Sequence, residues 1–320
     1  MGRRIGTVGG VRVGLALGGG AARGLAHVGF IKVLEREGIS VHAIAGTSMG
    51  AIVGSKYALN PNARVLEEDL FRFLESDVFK EAHLDFLKEG DEQERGFFFH
   101  LAQYISKKVY YTLAATQRSL IKEETFRGIM EFLIPDVPLE FTRIPFAATA
   151  VDLRSGVEVV LQGGSLRDAV AASCALPGIL PPVGVDGYEL VDGGWLDLVP
   201  GSVARRLGAH VVIGVWVGSD LGEACCWDSS IDILSRADEI TRHYLGVFRL
   251  QECDVVVAPS VGHYSWADFD KAQEVIDAGE EAALKALPSI RNAIRKARFK
   301  RWFPFSRSSS RSRIPFSVYP

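Results

Sequence analysis

The chain has 320 residues, 48% of them hydrophobic and 23% charged, a globular composition that excludes wholesale disorder. A formal charge of −3 gives no reason to expect nucleic acid, and the four cysteines (Cys174, Cys225, Cys226, Cys253) include no C-x-x-C pair, which argues against a disulfide scaffold and against thiolate metal ligation. The charge is unevenly spread: residues 285–320 hold ten Lys/Arg and no Asp/Glu, so an acidic body ends in a basic arm.

The N-terminal Met1-Gly-Arg-Arg-Ile-Gly has no apolar stretch of the secretory kind, and Gly6 stands where N-myristoylation wants Ser or Thr. Residues 11–17 form an apolar, partly β-branched run that predicts a strand, ended by Gly18-Gly19-Gly20. Residues 21–37 predict a helix, with Leu25, Val28, Ile31 and Leu34 on one face and Gly38 as the stop. A second strand at 41–45 and a second helix at 49–59 make the order strand–helix–strand–helix, the signature of a parallel α/β sheet.

Residues 61–145 change character. Segments 66–74, 101–113 and 125–133 have helical periodicity with no strand between them, and 13 aromatics fall in this stretch. It reads as a helical insertion, either a subdomain whose aromatics fill its own core or a cap over an apolar pocket. Alternation then returns: strands at 144–151 and 157–161, a helix at 166–174, a Pro-rich turn and an edge strand at 188–191. A helix at 200–207, a buried strand at 211–217 and helices at 231–250 and 269–287 flanking a strand at 254–258 complete the fold. No apolar run approaches the ~20 residues that span a bilayer. The expected organisation is a core over 11–208 carrying the insertion, its completion over 209–288, and a basic, disordered tail at 289–320.

Two glycine-rich turns follow strands and open helices. The first, Gly18-Gly19-Gly20-Ala21-Ala22-Arg23-Gly24, fits a dinucleotide fingerprint poorly, because its best register (Gly19, Ala21, Gly24) has alanine in the middle. No acidic residue ends the second strand either. The second turn, Gly46-Thr47-Ser48-Met49-Gly50, is a G-x-S-x-G between strand and helix, where a sharp turn would expose the Ser48 hydroxyl near a helix N-terminus. The plain alternative is an N-capping serine. A nucleophilic serine needs an oxyanion hole and a base. N–H groups of Gly18, Gly19 and Gly20 can converge for the first, with Arg23 steadying the loop or attracting an anionic head group. Two bases compete: His263 after the strand at 254–258, or Asp192, at a strand end before Gly193-Gly194.

These motifs together, Gly18-Gly-Gly-x-x-Arg-Gly, Gly46-Thr-Ser-Met-Gly, Ala172-Ser-Cys-Ala-Leu-Pro-Gly-Ile-Leu-Pro-Pro and Asp192-Gly-Gly, resemble the patatin-like phospholipases over about residues 13–208, with His27 in its Arg-Gly-x-x-His context. The resemblance implies a Ser–Asp dyad of Ser48 and Asp192, an oxyanion hole from Gly18, Gly19 and Gly20, support from Arg23, Gly46, Gly50 and Gly193, and acyl-ester hydrolysis with no metal or cofactor. One position departs, since Ala21 stands where many members have a fourth glycine. The expected fold is a three-layer α/β/α sandwich around a largely parallel sheet. The expected function is a serine acyl hydrolase cleaving fatty-acyl esters of phospholipids or other lipids through an acyl-enzyme; the alternative is a catalytically idle lipid-binding or regulatory relative. The expected setting is cytoplasmic and peripheral on the inner membrane face, with the basic tail as a contact for an anionic membrane surface.

Overall fold

The computed structural model describes residues 10–81, 118–218, 221 and 230–302; the helix expected at 101–113 lies outside them. Within these residues the chain is an α/β protein with a mostly parallel sheet. Strand β1 (Val13–Leu17) is central, paired in parallel with β2 (Val41–Gly46) and with β7 (Val211–Val215), and β7 pairs in parallel with β8 (Val255–Val257). Next to β2 lies β3 (Phe146–Asp152), and three antiparallel strands complete the sheet: β4 (Glu158–Leu161) and β6 (Tyr188–Asp192) on β3 and, on β6, the short β5 (Val183–Val185).

Period-two alternation sorts the two faces of the sheet. Leu15, Leu17, Ile44, Phe146, Ile213 and Val215 point into the larger core. It is closed by α1 (Ala26–Arg36), α2 (Met49–Leu59) and α9 (Ala272–Trp302). Ala16, Ala45, Ala147 and Val212 face the other way, a shallow floor on which Val203 and Ala204 of α7 (Gly201–Arg206) and Trp216 sit. Fully burying a Leu, Ile or Val contributes about 1.5–3 kcal/mol, so the larger face dominates stability.

The described parts of 61–145 belong to this body. Helices α3 (Ala63–Glu75), α4 (Asp77–Glu81) and α5 (Glu123–Leu133) surround the same core, to which α3 gives Leu66, Leu70 and Phe73 and α5 gives Phe126, Ile129 and Met130. They do not form a separate aromatic core.

The pairing of β3 positions the site. Ala148 pairs with both Gly46 of β2 and Leu161 of β4, while Ala150 pairs with both Asp192 of β6 and Val159 of β4. A strand residue has two edges, so β2 and β6 must share the edge of β3 opposite β4. They approach along it end to end, with their C-termini, Gly46 and Asp192, two β3 residues apart.

Two expectations are corrected. The Pro-rich turn leads into a β5–β6 hairpin whose loop residues, Asp186 (φ 47°) and Gly187 (φ 84°), have the paired positive φ of a type I′ turn. Helix α9 runs through Pro288 to Trp302, so residues 289–302 are helix and not tail. Ile290 is fully buried there, Ile294 packs on the core, and Arg291 pairs with Glu37 at 2.5 Å. Those contacts outweigh the roughly 3 kcal/mol that an interior proline costs a helix. Residues 303–320 lie outside the described region, and no helix among the described residues is long and apolar enough to cross a membrane.

Candidate active site

Ser48 occupies the turn between β2 and α2 with φ 55° and ψ −124°, one of three described non-glycine residues with positive φ. Such strain costs on the order of 1–3 kcal/mol and persists where its surroundings over-determine it. Here they do. Thr47 N–H donates to the Leu17 carbonyl at the end of β1 (3.1 Å), and Ser48 N–H donates to the buried hydroxyl of Ser173 (3.0 Å). The Thr47 hydroxyl is held at 2.7 Å from that of Thr149 and donates to the Asp197 carbonyl (2.9 Å). At Gly50 a side chain would run into the Leu17 carbonyl, so α2 can start against β1 only because that residue is glycine.

Asp192 closes β6, 2% exposed. One carboxyl oxygen accepts from Gly194 N–H at 2.7 Å. The Ser48 hydroxyl is near enough to favour the charged carboxyl, yet among the described residues no donor reaches Oδ2 at hydrogen-bond length. Burial pushes the Asp192 carboxyl up to about 6, opposed by Ser48, by Gly194 N–H and by the charge of Arg242. At Gly193 a Cβ would stand 2.5 Å from the Thr149 carbonyl and hydroxyl oxygens, so β6 could not end so close to β3 with any other residue there. The C-terminal end of α6 (Leu166–Cys174) ties the two groups together: Ser173 holds the Ser48 amide, and the carbonyl of the C-cap Ala175 accepts Asp192 N–H at 2.9 Å.

The glycine loop lies against the serine; a Cβ on Gly19 would be 3.2 Å from that of Ser48. Its N–H groups are not equivalent. Gly18 N–H donates to the Val215 carbonyl and Gly19 N–H to the Leu198 carbonyl, both at 3.1 Å, so two of the three expected oxyanion donors are committed within the fold. Gly20 and Ala21 N–H have no acceptor among the described residues. The Gly18–Gly19 peptide is pinned at both ends, because the Gly18 carbonyl accepts from Nε2 of the fully buried His27 at 2.7 Å. Burial, opposed by that bond, lowers the His27 pKa to about 4, so the ring is neutral and presents an Nε2–H donor. Arg23 lies half-buried in the short 3-10 turn that follows.

Ala21 carries φ 46°. A left-handed conformation costs a non-glycine residue roughly 1–2 kcal/mol, a strain that glycine would not carry. Ala21→Gly should therefore raise the unfolding free energy by up to about 1 kcal/mol after the unfolded-state entropy of glycine is counted. Denaturant melts of the two proteins check this; a variant less stable than the parent contradicts the strain.

His263, the competing base, is exposed and stacks on Tyr264 at 4.1 Å between ring centroids, and no hydrogen bond links it to Ser48 or Asp192. The sequence reading also missed a second buried acid. Asp197 is fully buried, neither carboxyl oxygen has a donor among the described residues, and the nearest cation is Arg249 at 4.0 Å. Burial, aided by Glu158 and opposed by Arg249, pushes its carboxyl up to about 7. Its backbone carbonyl receives the Thr47 hydroxyl, so it braces the serine turn through the main chain. The spacing Asp192-Gly-Gly-Trp-Leu-Asp197 was visible, but nothing local marked the second carboxyl as buried.

A family model described as patatin-like phospholipase matches residues 15–205. An uncharacterized NTE family protein of Mycobacterium tuberculosis is 33% identical over 217 residues, 67% of this chain and 51% of that one. Patatin-like phospholipase domain-containing protein 6 of Homo sapiens is 29% identical over 209 residues, 65% of this chain and 13% of its own length. Neuropathy target esterase sws of Drosophila melanogaster is 25% identical over 319 residues, 91% of this chain and 20% of its own. The chain thus spans about half the mycobacterial relative and a fifth or less of these animal ones. Among solved structures, that of VipD from Legionella pneumophila is similar at 13% identity and a TM-score of 0.46, covering 87% of this chain and 67% of that one. With the family model covering more than half of its length, and Ser48, the glycine loop and Asp192 all inside the matched residues, this chain belongs to the patatin-like phospholipase family.

Proposed function

We propose that this protein is a serine hydrolase of lipid acyl esters working through a Ser48–Asp192 dyad. The observation that carries the reading is a strained serine facing a buried carboxyl tuned near neutrality. Ser48 Oγ attacks the ester carbonyl carbon as its proton passes to Asp192. The tetrahedral oxyanion is received by Gly20 and Ala21 N–H, the loop donors left without acceptors, next to the positive end of α2. Collapse expels the alcohol, which takes the proton from Asp192, and leaves acyl-Ser48. Water then gives a proton to Asp192 as it attacks the acyl carbon; the bond to Ser48 Oγ breaks, Oγ takes that proton back from Asp192, and the fatty acid is released.

The names of the relatives support the lipid class of substrate. No step requires a metal or cofactor. Contact of the basic C-terminal arm with an anionic membrane is part of the same proposal, resting on its charge alone.

A fluorophosphonate probe separates an enzyme from an idle lipid binder. Labelling should be stoichiometric at Ser48, absent in Ser48→Ala and much slower in Asp192→Asn. A panel of phospholipid, lysophospholipid and acylglycerol substrates, blanked with Ser48→Ala, then ranks head group and acyl position. No label on Ser48 and no ester cleaved across the panel would leave the idle binder standing.

A further inference from the structure

Helix α8 (Ser230–Arg249) is amphipathic in the inverted sense. Its polar face points inward. Arg242 lies 4.7 Å over the Trp195 ring and acts on the Asp192 carboxyl, His243 packs edge-on against Trp216, Gly246 leaves room for that same indole, and Arg249 bridges toward Glu158 and Asp197. The apolar residues face out. Ile233, Leu234, Ile240, Tyr244, Val247 and Phe248 are between 39% and 68% exposed. At 3.6 residues per turn they line one stripe about 140° wide. Elsewhere in the fold the arrangement is the opposite, as α3 and α5 show by burying their apolar residues in the core.

We propose that this outward stripe docks on the surface of a phospholipid bilayer and holds the candidate serine over it. The proposal deepens the lipid-hydrolase reading and rests on it. Three observations select a bilayer. The helix that bears the stripe is clamped by its other face onto Trp195 and the Asp192 environment, so whatever covers it is brought within a helix diameter of the dyad. Half-exposed, two aromatic side chains of about 150–250 Å² each and four smaller aliphatic ones offer on the order of 500 Å². That is a patch size that marks an interaction site, yet it falls short of the roughly 800 Å² per partner of a stable dimer. Finally, α8 carries as many acidic as basic residues, so its attraction is apolar and needs no anionic partner. An interfacial helix of this kind buries its apolar face at the head-group boundary without a shape-matched surface.

The test uses full-length Ser48→Ala, so that no lipid is consumed, with vesicles of phosphatidylcholine at high salt, which screens the basic arm. The parent should co-sediment, and Leu234→Gln/Tyr244→Gln/Phe248→Gln should lower partitioning at least tenfold with an unchanged melting temperature. On the Ser48 background the triple change should spare turnover of a soluble short-chain ester while depressing turnover of vesicle lipid. Tyr244→Trp gives a second readout that needs no destabilising change: its emission should shift to the blue on vesicles and be quenched by brominated acyl chains.

Equal sedimentation of parent and triple variant, or no spectral shift, overturns the proposal. So does a dimer that the triple change dissociates with vesicle binding intact, which would make the occupant a second copy. A fall in melting temperature with vesicle binding intact overturns it too, since the stripe would then be covered by the chain itself. Failure of the underlying reading looks different: vesicles bound through α8 by a protein that neither labels at Ser48 nor cleaves any ester.

Discussion

Ser48→Ala and Asp192→Asn are each expected to abolish hydrolysis of lipid and soluble esters, by about 10³-fold or more, with folding intact. In the proposed mechanism both groups act on the same proton. Without the Ser48 hydroxyl there is no nucleophile, and with an amide at 192 nothing takes the proton that its attack releases. Losses in such a unit do not add, so the double variant should be no slower than the worse single one. Residual turnover over water should survive in all three, because the proposed Gly20 and Ala21 donors are untouched. Turnover of Asp192→Asn close to the parent's would remove Asp192 from the mechanism.

The second large effect is a pH dependence whose activity and stability branches run in opposite directions. Asp192 is a base only when ionised, and burial has raised its folded pKa to about 6. Turnover should therefore fall about tenfold per pH unit below 6, where an ordinary carboxylate would hold activity down to about 4. The stability sign follows from proton uptake. Between about 4 and 6 the folded carboxyl holds a proton that the unfolded one has lost, so its contribution to stability declines as pH rises through that window. Two pKa units are worth roughly 3 kcal/mol. Asp192→Asn does not titrate, so its stability relative to the parent should grow by up to that amount from pH 4 to pH 6 and stay level above. His27 has the opposite sign: its folded pKa is lowered to about 4, so stability is lost as pH falls from 6.5 toward 4. It is common to both proteins, and the difference between their denaturant-derived free energies cancels it. A difference that stays flat from pH 4 to pH 7 would mean that Asp192 keeps an ordinary pKa.

These expectations began in local chemistry that the chain displays openly. Periodicity placed β1, α2 and α6 to within a residue or two, because alternation and three-to-four spacing report which face is buried. Gly46 and Gly50 around Ser48 marked the strained turn, and Asp192-Gly-Gly marked an acid at a strand end. The β5–β6 hairpin was also legible, in Val185-Asp-Gly-Tyr188, a two-residue type I′ signal that the neighbouring prolines obscured.

What the tertiary structure decided depends on partners far away in sequence. That Ser48 meets Asp192 follows from β2 and β6 sharing one edge of β3, a pairing across more than a hundred residues that no local pattern encodes. Which loop N–H groups are open for an oxyanion depends on two carbonyls, Val215 and Leu198, that consume Gly18 and Gly19. Helix α9 passes Pro288 because Ile290 and Arg291 find partners in the body, where composition alone read the start of a tail. The periodicity of α8 was plain, but amphipathicity has no sign in a sequence. Only the contacts of Arg242 and Arg249 with the floor of the site show that its polar face is the buried one. Local interactions determine which elements form; the long-range competition for edges, donors and buried charge determines which of their groups are left to act.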